Sequence, residues 1–527
     1  MEIFKTTPYK HQLDIYKQSK DMPYAALFLE QRCGKTKIIL DTAAYQYHAG
    51  HINGLLIIAP NGVARNWLDE VQIHLTETVN HKIVLWRSGK MATKAAMVDL
   101  TGLLRHGGLS ILSMNIDALI TTAAKTYLTK WFQARRTFVA LDESIDISSP
   151  GAARTKVALR VARRSIIRRI ADGTPADAKP LGLYAQTQFL EPGLLGASTY
   201  VAFKARYTEQ ETRDVGEHNR ICDNCGGNGW FDGGVRCERC RGSCFIGNKQ
   251  IETVVGYKNL DELAQKLKPF AFRVTRADCA DLPPKVFERR YFALSPVQQR
   301  IFNELKMEFR AELAGKVVTA NIVLTRLLRL QQVASNHLPI DGDLRICEGC
   351  QGEGCANCDD RGVLGQSRRV AVVDPDKNPR LETLQTVLEP LTGQGIIWTR
   401  FVPDVEAVMG SLRNAVRYDG QVPPDQRIEA IQNFQAGNAQ YFVANPRAAG
   451  RGLDLSAANF VVYYAHDWSL RWRNQSEDRA QSLKRTESVL YIDLVAEATP
   501  DEKIIAALRD GKELSEQVLG DLKRVFD

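Results

Sequence analysis

The chain has 527 residues, 44% of them apolar and 25% charged, an ordinary globular composition that excludes a disordered or fibrous polypeptide. A single hydrophobic core does not grow to this length, so two or more domains are expected. Lys and Arg outnumber Asp and Glu by 69 to 61, an excess that suits a polyanionic partner and equally suits many metabolic enzymes. No apolar run approaches the roughly 18 residues that span a bilayer, and the polar stretch Met1 to His11 lacks the apolar centre of a signal peptide. A cytoplasmic chain with no membrane partner is the expectation.

In the first two hundred residues, apolar runs at 24–29, 55–59, 83–86, 109–113 and 138–141 alternate with stretches of helical character. Such alternation predicts βαβ units around a mainly parallel sheet. The same grammar returns at 395–399, 441–444, 460–464 and 489–494, so the fold class is α/β with two parallel-sheet lobes. The first is expected over 1–207, completed by 256–290, and the second over 367–527. Between them fall a Cys-rich insert at 208–255, a helical insertion at 291–344 that includes an apolar-periodic stretch from Pro296 to about Asn336, and a shorter Cys-rich insert at 345–366.

The first apolar run leads into Glu30-Gln31-Arg32-Cys33-Gly34-Lys35-Thr36, and Ile38, Ile39 and Leu40 then open a helix. Backbone amides at a helix N-terminus bind phosphate. Lys35 would reach the β and γ phosphates, and the Thr36 hydroxyl would ligate magnesium. The first glycine of the full G-x-x-x-x-G-K-T pattern is absent, Leu29 standing in its place. About a hundred residues on, the run 138–141 ends in Asp142-Glu143. Asp142 would hold magnesium largely through water, and Glu143 would polarise the attacking water.

Basic residues then bunch as Arg154, Lys156, Arg160, Arg163, Arg164, Arg168 and Arg169 at roughly helical spacing, a solvated helix face or a phosphate-contacting one. Nine of the eleven cysteines fall in two groups. The first holds the pairs Cys222/Cys225 and Cys237/Cys240, with Cys244 beyond; the second holds Cys347/Cys350 and Cys355/Cys358. C-x-x-C pairs in a reducing compartment indicate metal rather than disulfides, and four thiolates suit a closed, structural zinc site. About two zinc ions per chain are expected. Each insert binds its own, or the inserts exchange pairs.

The motifs resemble those of superfamily 2 helicases, and within them the Swi/Snf-type DNA translocases. Pro8-Tyr9-Lys10-His11-Gln12 is similar to that family's adenine-reading segment, 56–60 with Asn66, Trp67 and Glu70 to motif Ia, and Gly173-Thr174-Pro175 to motif III. Phe272-Arg273-Val274-Thr275-Arg276 followed by Asp281-Leu282-Pro283-Pro284-Lys285 resembles the end of the family's first lobe. In the second lobe Tyr418-Asp419-Gly420 precedes Arg427 and Phe434, the stretch from Arg447 to Leu455 resembles motif V, and Gln475-Ser476-Glu477-Asp478-Arg479 resembles motif VI. The two cysteine groups are also similar to the C-x-x-C-x-G-x-G repeat of DnaJ-type zinc modules.

This resemblance implies two RecA-like lobes that clamp ATP and Mg2+ and ratchet along DNA. It makes Gln12, Gly34, Lys35, Thr36, Gly452, Asp454 and Gln475 nucleotide contacts, and Arg479 a second-lobe charge stabiliser. The chain departs from the family at Ile145, where motif II ends in histidine, and at Ser482, which stands at motif VI's second arginine; Lys484 or Arg485 would then substitute. The expected function is an ATP-dependent translocase or helicase on duplex or branched DNA, with a replication or recombination protein as a further partner, in a bacterial or phage-infected cell or, alternatively, a nucleus. The alternative is a zinc-bearing DNA- or protein-binding factor whose degenerate ATPase serves as a conformational switch.

Overall fold

The computed structural model describes residues 3–60, 63–87, 93–173, 180–215, 230–231, 235–236, 249–275, 278, 285–313, 320–340, 345–346, 363–364, 368–449, 453–481 and 487–509. The chain divides into two compact units, Met1–Asp281 and Leu282–Asp527.

In the first unit the predicted apolar runs become strands β1 (Tyr24–Leu29), β2 (Gly54–Ala59), β3 (His81–Leu85), β4 (Leu109–Asn115) and β5 (Thr137–Asp142), joined by β6 (Ile167–Ala171) and β7 (Ala271–Val274). They form one seven-stranded sheet in the order β7-β1-β6-β5-β2-β4-β3, with every pairing parallel. A parallel sheet covered on both faces needs apolar residues at every position. Ala26, Phe28, Leu56 and Ile58 enter one core, while Leu27, Leu29, Leu55 and Ile57 enter the other. Helices α1 (Lys10–Ser19), α2 (Lys35–His48) and α3 (Val63–His74) supply part of that cover. Because all strands run one way, the carboxyl ends of β1, β5 and β6 lie along one edge, where open α/β sheets bind ligands.

The basic run departs from its predicted single helix. Arg154, Lys156 and Arg160 stand exposed on the helix Ala153–Ala162, whose buried face is Thr155, Ala158, Val161 and Ala162. Arg168 and Arg169 lie in β6 instead, because Ile167, Ile170 and Ala171 give this segment two apolar faces. Arg169 is buried and donates to the carbonyls of Ser19 (2.6 Å) and Met22 (3.0 Å), and burial holds its guanidinium down to about 9. It is a structural clamp between α1 and the sheet.

The second unit has its own six-stranded sheet. Its strands are β8 (Val286–Phe292), β9 (Gly395–Trp398), β10 (Ala415–Tyr418), β11 (Tyr441–Ala444), β12 (Phe460–Tyr463) and β13 (Leu490–Ala496). The order is β8-β13-β12-β9-β11-β10, again parallel throughout. The segment 256–290 therefore divides: β7 completes the first sheet, whereas β8 pairs with β13 in the second. The helices Pro296–Leu313 and Ala320–Ala334 are not a separate insertion either. Phe302, Phe309, Leu327, Leu330 and Val333 share one core with Ile397, Val462 and Leu494.

Antiparallel ribbons bracket both Cys-rich segments in sequence. Thr208–Val215 pairs with Lys249–Tyr257, and His337–Ile340 with Arg368–Ala371. The eight expected zinc ligands, Cys222, Cys225, Cys237, Cys240, Cys347, Cys350, Cys355 and Cys358, lie outside the described residues, as does Cys244.

Candidate active site

The loop after β1 turns on two left-handed residues, Arg32 (φ 67°) and Gly34 (φ 84°). Glycine adopts that region freely, whereas a residue with a side chain is strained there by about 1 kcal/mol. A Cβ at Gly34 would also displace the Gln12 carboxamide. Helix α2 starts at Lys35 with Gly34 as its cap, and first-turn amides of a helix lack intrahelical acceptors, which suits them to phosphate. Lys35 is buried, and its ammonium donates to the carbonyls of Leu29 (2.8 Å) and Glu30 (3.3 Å). Gln12 is buried beside this loop. Its amide donates to the Cys33 carbonyl (3.4 Å) and its Oε1 accepts from the Tyr9 amide (3.0 Å).

Asp142 closes β5, and Glu143 follows in a left-handed conformation, φ 52°, a second place where the site holds strain. Asp142 Oδ2 accepts from the Trp67 indole at 3.1 Å and Oδ1 from the Glu143 amide at 3.0 Å. Burial, and next the neighbouring Glu143 carboxylate, push the Asp142 carboxyl up; Lys35 and these hydrogen bonds pull the other way. A buried carboxylate held charged against such a cost is a fitting ligand for a divalent cation, which would relieve it. The donors fit magnesium, a hard cation that takes oxygen ligands. Asp142 and Thr36 would hold it, and it would supply charge neutralisation at the phosphates.

A raised carboxyl favours the fold only while protonated, so its charged form subtracts stability as pH climbs through the folded-state value. Asp142→Asn is therefore expected to stabilise the metal-free protein near pH 8 by on the order of 1–3 kcal/mol, the gain fading as pH falls toward about 4. Thermal unfolding across that range checks it; a variant less stable than the parent near pH 8 would contradict it.

The turn after Glu143 is pinned from three sides. Gln31 Nε2 donates to Glu143 Oε1 (2.9 Å), the Ser144 hydroxyl to Gln186 Oε1 (2.8 Å), and the Ile145 amide to Asp172 Oδ2 (2.8 Å). At Ile145, the family's histidine position, the contact is thus a backbone one, to the residue that precedes Gly173. Trp67, Gln31, Asp172 and Gln186 were not singled out for these roles in the sequence. Of motif III, Thr174 and Pro175 lie outside the described residues.

In the second unit, the Arg479 guanidinium is buried and donates to the carbonyls of Gln475 (3.0 Å) and Leu453 (3.2 Å). It thereby ties the motif V and motif VI segments together. Gln475 is buried and Asp454 is exposed, its Oδ1 accepting from the Ser456 amide at 3.1 Å. Gly452, Ser482, Lys484 and Arg485 lie outside the described residues. Lys285 binds Glu477 (2.7 Å) and Asp478 (3.3 Å), so the lysine that ends the Asp281 to Lys285 phrase anchors motif VI. Arg473 binds Glu477 (2.7 Å) and Asp493 (2.6 Å) and stacks 3.6 Å from the centre of the Tyr463 ring.

A phosphate-suited loop and a carboxylate pair on one edge of an all-parallel sheet define a P-loop-type nucleotide-binding protein. The SNF2-related domain family matches residues 13–340, and the helicase conserved C-terminal domain matches 379–484. The chain belongs to the SNF2-related family. Among its relatives, the mouse DNA annealing helicase and endonuclease ZRANB3 is 24% identical over 465 residues, covering 86% of this chain and 35% of the mouse protein. The putative ATP-dependent helicase/translocase YwqA of Bacillus subtilis is 21% identical over 481 residues, or 88% of this chain and 43% of that protein. The chain thus spans less than half the length of either. The Sulfolobus solfataricus SWI2/SNF2 ATPase core in complex with double-stranded DNA is similar at 18% identity and a TM-score of 0.38, over 99% of this chain and 95% of that one.

Proposed function

We propose that the protein is a DNA-dependent ATPase that couples ATP hydrolysis to movement on, or remodelling of, duplex or branched DNA in replication, recombination or repair. The observation that carries this reading is the constellation of Lys35, Asp142 and Glu143 at one edge of the first sheet, in a chain of the SNF2-related family. Gln12, Gly34, Lys35 and Thr36 hold ATP, and Thr36 and Asp142 hold Mg2+. Glu143 accepts a proton from the attacking water, the step for which a positioned carboxylate is suited. Gly452, Asp454, Gln475 and Arg479 join this list through their motifs.

A second reading, an ATPase domain that switches conformation without moving on DNA, draws support from Arg479, whose guanidinium binds carbonyls of its own unit. The two readings separate in one experiment: ATP turnover against duplex, single-stranded, forked and four-way DNA and against RNA, with strand displacement followed in parallel. Strong stimulation by duplex or branched DNA, falling steeply with salt because binding runs through phosphates, is expected. Slow turnover indifferent to every nucleic acid would overturn the motor reading. The cysteine groups carry a structural-zinc reading on their C-x-x-C spacing, and freshly reduced protein should hold about two zinc ions per chain; metal-free protein would refute it.

A further inference from the structure

Gln31 sits four residues before Lys35 on the phosphate loop, yet its side chain reaches a residue 112 positions away, with Nε2 lying 2.9 Å from Glu143 Oε1. A carboxylate only accepts, so the NH2 of the amide must be the end that faces it. Gly173 leaves room for that pose. A Cβ there would stand 2.8 Å from Gln31 Nε2 and 3.2 Å from its Cδ and Cγ, so the amide would have to shift.

The residues that follow Glu143 direct their polar groups elsewhere. The Ser144 hydroxyl goes to Gln186 and the Ile145 amide to Asp172, while the Ile145 side chain has nothing to donate. The loop glutamine therefore brings a side-chain donor to the carboxylate from the same loop that carries Lys35. That hydrogen bond fixes the direction of the carboxylate, which is what a base aimed at a water needs.

We propose that Gln31 is a positioning residue for the general base Glu143, fixing the direction of its carboxylate. The inference rests on the role given to Glu143 above. The test measures kcat and KM for MgATP at saturating DNA for the full chain and for Gln31→Leu, Gln31→Glu and Glu143→Gln, with thermal unfolding of each. Gln31→Leu keeps the shape and removes the donor. It should lower kcat roughly ten- to hundredfold and leave KM for MgATP within about twofold. Gln31→Glu should lower kcat at least as far with KM again little changed, because a carboxylate cannot donate to Glu143 and repels it; it carries the test if the leucine variant does not fold. An unchanged kcat, or a loss confined to KM, would overturn the proposal. If Glu143→Gln hydrolyses ATP as the parent does, the assignment of Glu143 itself fails, and the role of Gln31 falls with it. If Glu143→Gln is inactive while both Gln31 variants match the parent, only the role of Gln31 is refuted.

Discussion

Lys35→Ala is expected to reduce DNA-stimulated ATP turnover by at least about a hundredfold, the scale of losing one preorganised charge at a phosphoryl-transfer centre. The ammonium is buried and rests on the carbonyls of Leu29 and Glu30. Neutral carbonyls are weak partners for a cation, so an incoming phosphate would compete well for it. The same ammonium eases the charge on Asp142, so alanine also makes that carboxylate harder to ionise. Both effects act on hydrolysis. Phosphate release measured with saturating duplex DNA, beside a thermal melt, reads the result. Undiminished turnover would place the nucleotide somewhere other than this loop.

Asp501→Ala should destabilise the second unit by about 3–5 kcal/mol, because it strands a buried charge. Arg380 and Asp501 are both fully enclosed and meet at 2.6 Å. Arg380 also donates to the carbonyls of Tyr464 and Ala334, the latter at 3.3 Å, and its guanidinium lies 5.0 Å from the centre of the Phe292 ring. Asp501 in turn accepts from Gln331 at 3.4 Å. The pair thus joins the helices Pro379–Leu388, Ala320–Ala334 and Pro500–Arg509 to the sheet. A double replacement, Arg380→Met with Asp501→Leu, removes both charges and should recover much of the loss, since a packed apolar pair often substitutes for a buried ion pair. Denaturant midpoints of the two variants check this, and an unchanged midpoint for Asp501→Ala would contradict it.

The parts of this molecule that were legible in the sequence are those whose chemistry is local. Strands buried on both faces appear as unbroken apolar runs, and a loop that places Gly-Lys-Thr between such a run and a helix has one chemical use that fits. Strand β6 escaped because Arg168 and Arg169 interrupt its apolar pattern, and only the tertiary position of Arg169 against the Ser19 and Met22 carbonyls explains a buried arginine there.

The side-chain partners of Asp142 and Glu143 escaped for a different reason. Trp67 is 75 residues from Asp142, and Gln31 is 112 from Glu143. A tryptophan on an apolar helix face and a glutamine in a loop both have ordinary readings until the fold brings them to the site. Lys285 is a similar case, since the sequence marks it only as the end of a phrase, and its contacts with Glu477 and Asp478 assign it to motif VI.

The central claim is that Glu143 activates water in a site that binds ATP independently of that residue. Its most direct test compares Glu143→Gln with the parent, measuring MgATP affinity and DNA-stimulated turnover on the same preparations. The variant should bind MgATP about as tightly as the parent and lose hydrolysis by roughly a thousandfold, within the range of a general base. Turnover within about tenfold of the parent would contradict the claim, because a positioned base contributes more than that.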